Sequence, residues 1–518
     1  MEADICIYGG TAAGVVAAVA AAREKHSVVL VEPSRHLGGM SSGGLGQTDT
    51  GNKAAIGGLS LQFYRELGKH YGKDEAWKFE PHAAEQIFRR WLTESGVNVL
   101  FEHRLREVEK QGGRIGRIML EQVPSDPANA PGSSEQLREH VTVEARMYID
   151  ASYEGDLMAQ AKVPYTVGRE SSQQYGESLN GVRAVTPKHQ FLVPVDPYLR
   201  PGDASSGLLP LIQTGDGGTP GAADSHVQAY NFRLCFTRRN ANRTPIPQPD
   251  GYDPRTYELL GRYVQALVDA KKHPSLAMFM NINEVPNGKT DINNNGAVST
   301  DFIGQSDAYP EGDYDTRRKI WHAHLQYTHG LLHFLATDPR VPAEMRKDMA
   351  SWGFCRDEFV DTGGWPNQLY VREARRMVSP YVITQAVCEH KQTCNDSIGL
   401  ASYNMDSHNC QRIVRHGVVR NEGDVQVAPS GPYPISYRAI VPDAKDCENL
   451  LVPVCLSASH IAYGSVRMEP VFMIIGQSAA LAASAALRKK CSVQDVNVPS
   501  LQERLLQAGQ VLSWHSNR

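Results

Sequence analysis

The run from Ile5 to Glu32 constrains this chain more than any other stretch. Ile5–Tyr8 is a short apolar segment, as a buried parallel strand requires. Gly9-Gly10-Thr11-Ala12-Ala13-Gly14 follows as a turn. Val15–Arg23 is Ala-rich and free of Gly and Pro, which predicts a helix. Ser27–Val31 then predicts a second buried strand that ends at Glu32. Strand, glycine turn, helix, strand and terminal acid, in that order, predict a Rossmann-type dinucleotide site. Gly9 permits the sharp exit from the strand, and Gly14 lets the helix pack close to the sheet. The backbone N–H groups of Thr11, Ala12 and Ala13, helped by the helix dipole, face a diphosphate. Glu32 suits the hydroxyls of a ribose. The usual second glycine of G-x-G-x-x-G is Thr11 here, with Gly10 beside it.

The chain has 518 residues, enough for two or three substructures or one large interleaved fold. Hydrophobic residues at 41% and charged residues at 21% exclude wholesale disorder. A net charge of −4 argues against nucleic acid as the main partner. No run of about 18 apolar residues is evident, so no spanning helix is expected. The nine cysteines are scattered, which predicts neither a disulfide framework nor a metal centre; a local Cys388–Cys394 bridge is left open for an exported protein. Met1-Glu-Ala-Asp4 leads straight into the first strand without a signal-like segment. A cytoplasmic location is therefore expected, with periplasm or secretion left open by a removed leader.

Further along, residues 59–70 and 80–95 predict amphipathic helices, and Val97–Phe101 a strand. Arg104–Lys110 and Arg114–Gln122 predict a hairpin through Gly112-Gly113. Residues 123–137 read as an exposed loop, and Val141–Asp150 as another strand. The character changes over about 160–440, where prolines, aromatics, Asn and Asp concentrate around helices predicted at 255–270, 313–336 and 340–351. Leu450–Leu456 predicts a buried strand and Pro470–Ala486 a long helix of apolar and small residues. The expected fold is α/β. A Rossmann-like domain is built from both chain ends, 1–160 and 440–518, with an inserted α+β substrate region at 161–439.

Soon after Glu32 comes a second glycine cluster, Gly38-Gly39-Met40-Ser41-Ser42-Gly43-Gly44. It fits an extended ligand such as FAD, whose flavin end would lie against bare backbone. No second Rossmann turn and no close redox Cys pair is evident in the sequence, which argues against a pyridine-nucleotide disulfide reductase.

At this point the sequence resembles the FAD-dependent oxidoreductases of the glutathione-reductase-like superfamily. More narrowly, it resembles a bacterial FAD-dependent oxidoreductase family, some of whose members carry a xanthan lyase label. The resemblance rests on residues 5–14, His36-Leu-Gly-Gly-Met40, Ile149-Asp-Ala-Ser-Tyr-Glu-Gly-Asp-Leu157 and Gly464-Ser-Val-Arg-Met-Glu-Pro470. Tyr230–Cys235 and Tyr370–Arg376 add to it. The resemblance implies that Gly9–Gly14 bind the FAD diphosphate and that Glu32 and Pro33 lie at the ribose. It places Arg35, Gly38, Gly39, Met40, Ser41 and Ser42 along diphosphate and flavin. It puts Leu105 at the adenine and Ala151 and Ser152 over the nucleotide. Met468 and Glu469 would open a helix aimed at the flavin.

In such a protein FAD performs the redox step, and the protein holds the substrate and manages one proton. His460, between the last strand and the last helix, is the first catalytic candidate, with a structural role as its alternative. His408 is the second, with Asp406 nearby to orient it. Arg467, Arg372 and Arg375 are placed to hold an anionic group, although Arg372–Arg376 also fits a helical ion-pair face. Asn283–Asn295, including Asn294, reads either as a polar loop lining a pocket or as a self-satisfied surface turn. The expected reaction is two-electron oxidation of a polar small molecule, a sugar or glycoside alcohol foremost, by hydride transfer to flavin N5. Electrons then pass to oxygen, a quinone or a carrier protein. A flavin monooxygenase or C=C reductase is the alternative within enzymes. A carbohydrate-active lyase or binding protein with structural FAD is the alternative outside redox chemistry. A homo-oligomer is left open.

Overall fold

A computed structural model describes residues 1–123 and 140–514 of the chain. Its opening unit is Glu2–Tyr8 (β1), Ala12–Arg23 (α1) and Val28–Glu32 (β2). Gly58–His70 (α2) and Pro81–Glu94 (α3) follow, then Asn98–Phe101 (β3), His103–Gln111 (β4), Arg114–Gln122 (β5) and His140–Asp150 (β6). The loop expected at 123–137 lies outside the described residues, Val123 excepted.

These strands form one sheet in the order β3-β2-β1-β6-β5-β4. β1 pairs in parallel with β2 and with β6, so Ile5 lies opposite both Val28 and Met147. β4, β5 and β6 run antiparallel. Leu450–Leu451 joins the same sheet, parallel to β6, so both chain ends contribute to it. The strand expected over Leu450–Leu456 stops after two residues, and Val452–Leu456 continues as buried irregular chain.

Ten of the residues of α1 are buried, all Ala, Val or Gly. Side chains this small let it lie directly on the helix Glu469–Lys489, where a Cβ on Gly476 would stand 2.4 Å from the Ala13 carbonyl oxygen. That helix is long and apolar enough to cross a membrane by length and composition, which corrects the expectation that no such segment exists. Here 94% of its apolar window is buried inside the protein, as in the core helix of a large domain.

The middle of the chain carries the helices Glu258–Asp269, Tyr314–Thr337 and Ala343–Ala350, close to their predicted positions. A five-stranded antiparallel sheet accompanies them. The Asn-rich segment expected as a loop is instead a hairpin of this sheet, Met280–Val285 and Lys289–Asn294, turning at Pro286–Gly288. Asn and Asp are poor strand formers on average, but tertiary burial decides here. Ile282 faces Ile292 across the pair, and Lys289, Thr290, Asp291, Ile292 and Asn294 are all buried. Val371–Arg375 is irregular chain rather than helix, and its arginines are buried.

Candidate active site

The cradle for the nucleotide is built at the start of α1. Thr11 caps the helix, its Oγ1 accepting from the Gly14 N–H at 3.2 Å and donating to the Ala151 carbonyl at 2.7 Å. The hydroxyl that replaces the usual glycine is thus turned toward Ala151. The first turn, containing Ala12, Ala13 and Gly14, carries no acidic side chain, so its positive end is open to an anion. A Cβ on Gly14 would stand 1.9 Å from the Gly9 carbonyl oxygen, which explains why only glycine fits there. Gly10 donates its N–H to Glu32 Oε2 at 2.8 Å, and Ser34 donates N–H and O–H to Oε1 at 2.8 and 2.6 Å. Burial raises the Glu32 carboxyl, and these donors oppose the rise. A carboxylate oxygen accepts about two hydrogen bonds, so Oε2 keeps one position for a ribose hydroxyl. Pro33, half-buried, turns the chain out of β2. Arg35 is exposed and bonded to Glu102 at 2.6 Å, in the wall of an open cavity of about 640 Å³ that also includes His36, Arg89 and Phe101. These residues fit a dinucleotide with a diphosphate.

Other expected contacts are taken up within the protein. The Leu105 N–H donates to the Tyr8 hydroxyl at 3.1 Å, and its carbonyl accepts from Tyr314 at 2.8 Å. The second glycine cluster is not bare: Gly38 and Gly39 pack on Phe88 and Tyr153, and Gly44 lies against the Arg233 carbonyl. Its glycines allow chain segments to approach closely. Met40 donates its N–H to Tyr153 Oη at 2.9 Å, and the Ser42 hydroxyl donates to the Leu37 carbonyl at 2.5 Å. Met468 caps the core helix in an extended conformation. Glu469 opens its first turn and accepts from Ser41 at 2.9 Å and from Tyr153 at 2.7 Å. Burial lifts the Glu469 carboxyl to about 7, against those two donors.

The motif Asp150–Asp156 is a brace. Asp150 accepts the N–H and hydroxyl of Ser152 and the N–H of Met158. Asp156 accepts from both Arg317, at 2.6 Å, and Arg375, at 2.8 Å. Arg375 also donates to Glu311 at 2.8 Å. Arg375 thus bridges the carboxylates of Asp156 and Glu311 as an ion-pair tie.

His460 is equally committed. Its Nδ1 lies 2.7 Å from Glu373 Oε2, its Nε2 3.0 Å from Ser407 Oγ, and its N–H donates to Glu170 at 2.9 Å. It is buried, and desolvation, then the charges of Arg376 and Arg169, push it down to about 3. Both ring nitrogens are thus engaged within the protein. The geometry therefore favours the structural alternative for His460.

His408 stands differently. Nδ1 donates to Asp301 Oδ2 at 2.8 Å, while Nε2 lies 3.5 Å from Asp406 Oδ2, beyond a good hydrogen bond. Burial and Arg372 push its pKa down, but Asp301 and Asp406 outweigh them, and the net shift is upward. Asp301 also pairs with Arg372 at 3.0 Å. Arg467 donates to the Tyr370 hydroxyl at 2.9 Å and to Asp406 at 3.1 Å. Arg233, Arg372 and Arg467 surround the Tyr370 ring at 6.0, 4.8 and 5.6 Å. Arg233 is held bidentately by Asp291 at 2.7 and 2.6 Å, and Asp291 also accepts the Gln47 N–H, which ties the glycine loop to this cluster. His189 stacks 6.5 Å from His408, and burial lifts Asp424 to about 7. The Nε atoms of Arg372 and Arg467 and the side-chain oxygens of Asn231 and Asn409 are buried without a partner among the described residues. Asn294 itself is buried in its strand; its neighbour Asn293 accepts from Asn231 at 3.0 Å and approaches Arg372 at 3.5 Å.

The cluster thus unites His408, Arg372 and Arg467 and leaves out His460 and Arg375. Asp301 lies outside every segment the sequence marks, and Arg233, Asp291 and Tyr370 lie in marked segments without a role of their own. They come from three separate stretches of chain, around 233, 291–301 and 370, and no local spacing marks them.

No curated protein sequence matches this chain. Among solved structures it is similar to a geranylgeranyl bacteriochlorophyll reductase-like protein from Thermoplasma acidophilum, at 10% identity over 98% of this chain and 84% of that one, with a TM-score of 0.37. It is also similar to OxyS anhydrotetracycline hydroxylase from Streptomyces rimosus, at 13% identity over 39% of this chain and 38% of that one, with a TM-score of 0.23. THI4 from Thermovibrio ammonificans shares 16% identity over 34% of this chain and 71% of that one, with a TM-score of 0.24. The chain spans well under half the length of OxyS, and likenesses at these scores carry no argument about activity. The sequence matches the family described as FAD dependent oxidoreductase over residues 4–505. The chain belongs to that family, and its cofactor is FAD.

Proposed function

We propose that this protein oxidises a polar small molecule by two electrons, with a sugar or glycoside alcohol as the leading substrate class and His408 as the acid–base group. Bound FAD supplies the two-electron acceptor. Residues 1–160 and 440–518 hold it, and 161–439 cover the substrate. The observation that carries the reading is the pairing of Asp301 and Asp406 about one imidazole. Asp301 fixes the tautomer with the proton on Nδ1. Nε2 is then the atom that takes the substrate's hydroxyl proton, and Asp406 stabilises the imidazolium that results.

Arg372, Arg467, Asn231 and Asn409 present unpaired polar atoms that suit a ligand dense in hydroxyl or carboxylate groups. Tyr370 is kept in place by the arginines about it. His460 is a positioning residue: through Glu373 it holds Gln228, whose Oε1 accepts the His408 N–H at 3.2 Å. Electrons leave to oxygen, a quinone or a carrier protein.

The test is anaerobic mixing of the holoenzyme with sugars, amines and hydroxy acids. Loss of the oxidised flavin absorbance with a sugar or related alcohol supports the proposal. A flavin that stays oxidised with all of them, and bleaches only with an external reductant ahead of oxygen-dependent hydroxylation, replaces it with a monooxygenase.

A further inference from the structure

Cys235 and Cys355 are 120 residues apart in sequence, yet their sulphurs lie 3.9 Å from each other. The strands Phe236–Thr237 and Gly353–Cys355 are antiparallel, with Phe236 opposite Phe354 and Thr237 opposite Gly353. Continuing that register places Cys235 directly across from Cys355. Opposed residues of an antiparallel pair have Cα atoms about 4.5–5.5 Å apart, within the Cα separations of about 4.4–6.8 Å that disulfides span. The backbone therefore holds the two residues at bridging distance, and side-chain rotation closes the rest. With Phe359 they form a small buried cluster separate from the main core. Both are free thiols in this structure.

We propose that Cys235 and Cys355 form an intramolecular disulfide when the protein meets an oxidised low-molecular-weight disulfide such as glutathione disulfide. The Cys235 sulphur, after losing its proton, attacks the reagent and releases one glutathione thiol. Cys355, likewise deprotonated, then attacks Cys235 and releases the second. One S–S bond forms in the protein, the reagent's S–S bond is reduced to two thiols, and the protons end on those thiols.

The neighbouring Cys355 sulphur and burial push the Cys235 thiol well above its usual range. Cys235 thus rests as a thiol at neutral pH, and exchange proceeds slowly, through transient opening of the strand pair. The same run of chain carries Arg233, two residues before Cys235, so the bridge fixes the backbone that presents Arg233 to Tyr370 and Asp291.

The experiment is overnight incubation of the folded holoenzyme with glutathione disulfide, followed by unfolding in an alkylating reagent, trypsin cleavage and mass spectrometry. The expected product is a cross-linked pair of peptides, 234–238 with 348–356, lighter by about 2 Da than their sum. It is expected to vanish on reduction and in both Cys355→Ser and Cys355→Ala. Full alkylation of both peptides after oxidation overturns the proposal, as does either cysteine bridged to another partner or left capped by glutathione.

Discussion

His408 Nδ1 donates to Asp301 Oδ2 at 2.8 Å, and the other oxygen of that carboxylate pairs with Arg372 at 3.0 Å. One buried acid therefore orients the imidazole and neutralises the arginine beside it. A carboxylate so placed stabilises His408 in its charged form, which is why the net shift of His408 is upward despite burial.

Asp301→Asn removes that charge while keeping the shape. The His408 pKa should fall, and the acidic limb of the rate–pH profile should move to lower pH. The rate itself should drop by about 100-fold or more, as expected when an acid–base residue loses its orienting partner. Measuring kcat/KM across pH checks this. A lowered rate with an unmoved limb assigns Asp301 to architecture alone.

Glu32→Gln keeps an acceptor for the Gly10 N–H but loses the charge that strengthens a bond to a ribose hydroxyl. Hydrogen bonds to charged groups contribute about 1.5–3 kcal/mol, so FAD affinity should weaken by about 10- to 100-fold. Flavin fluorescence titration of the stripped protein reads the change. Equal affinity in variant and wild type removes Glu32 from the ribose.

Gly14→Val asks for a side chain where a Cβ would already stand 1.9 Å from the Gly9 carbonyl oxygen. The helix must move off the sheet, at a cost of about 1–3 kcal/mol or more. Lower thermal stability and loss of bound flavin are expected together. A variant as stable and as yellow as the wild type contradicts the packing described here.

His460 makes a prediction of opposite character. Its folded pKa, about 3, lies below the ordinary 6.5. As pH falls from 6.5 toward 3 the unfolded chain takes a proton that the folded chain refuses, so this residue lowers stability over that window. Above 6.5 it contributes no pH dependence. His460→Gln should flatten that part of the denaturation profile, and an unchanged slope would show that His460 is charged in the fold.

Much of the cofactor half was legible in the sequence because its signals are local. Gly9, Gly14 and Glu32 sit within one βαβ unit, where strand, turn and helix each leave their own mark. The insert was less legible because its logic is non-local. Asp301 meets His408 across more than a hundred residues, and Arg233 meets Asp291 through strand pairing that the Asn-rich composition disguises. The glycines at 38–44 are harder to read for a related reason: a glycine needed for close packing against Tyr153 or Arg233 looks the same in sequence as one needed for a ligand. Arg375 and His460 carry the residue types of a catalytic site, and only the structure reveals the partners that hold them, Asp156 and Glu311 for the one, Glu373 and Ser407 for the other.

The most direct test of the account is the rate of anaerobic flavin bleaching in His408→Asn, using the first compound that bleaches the wild type and matching flavin content between the two. The account predicts a fall of about 100- to 10,000-fold with FAD still bound. Bleaching at the wild-type rate would contradict it.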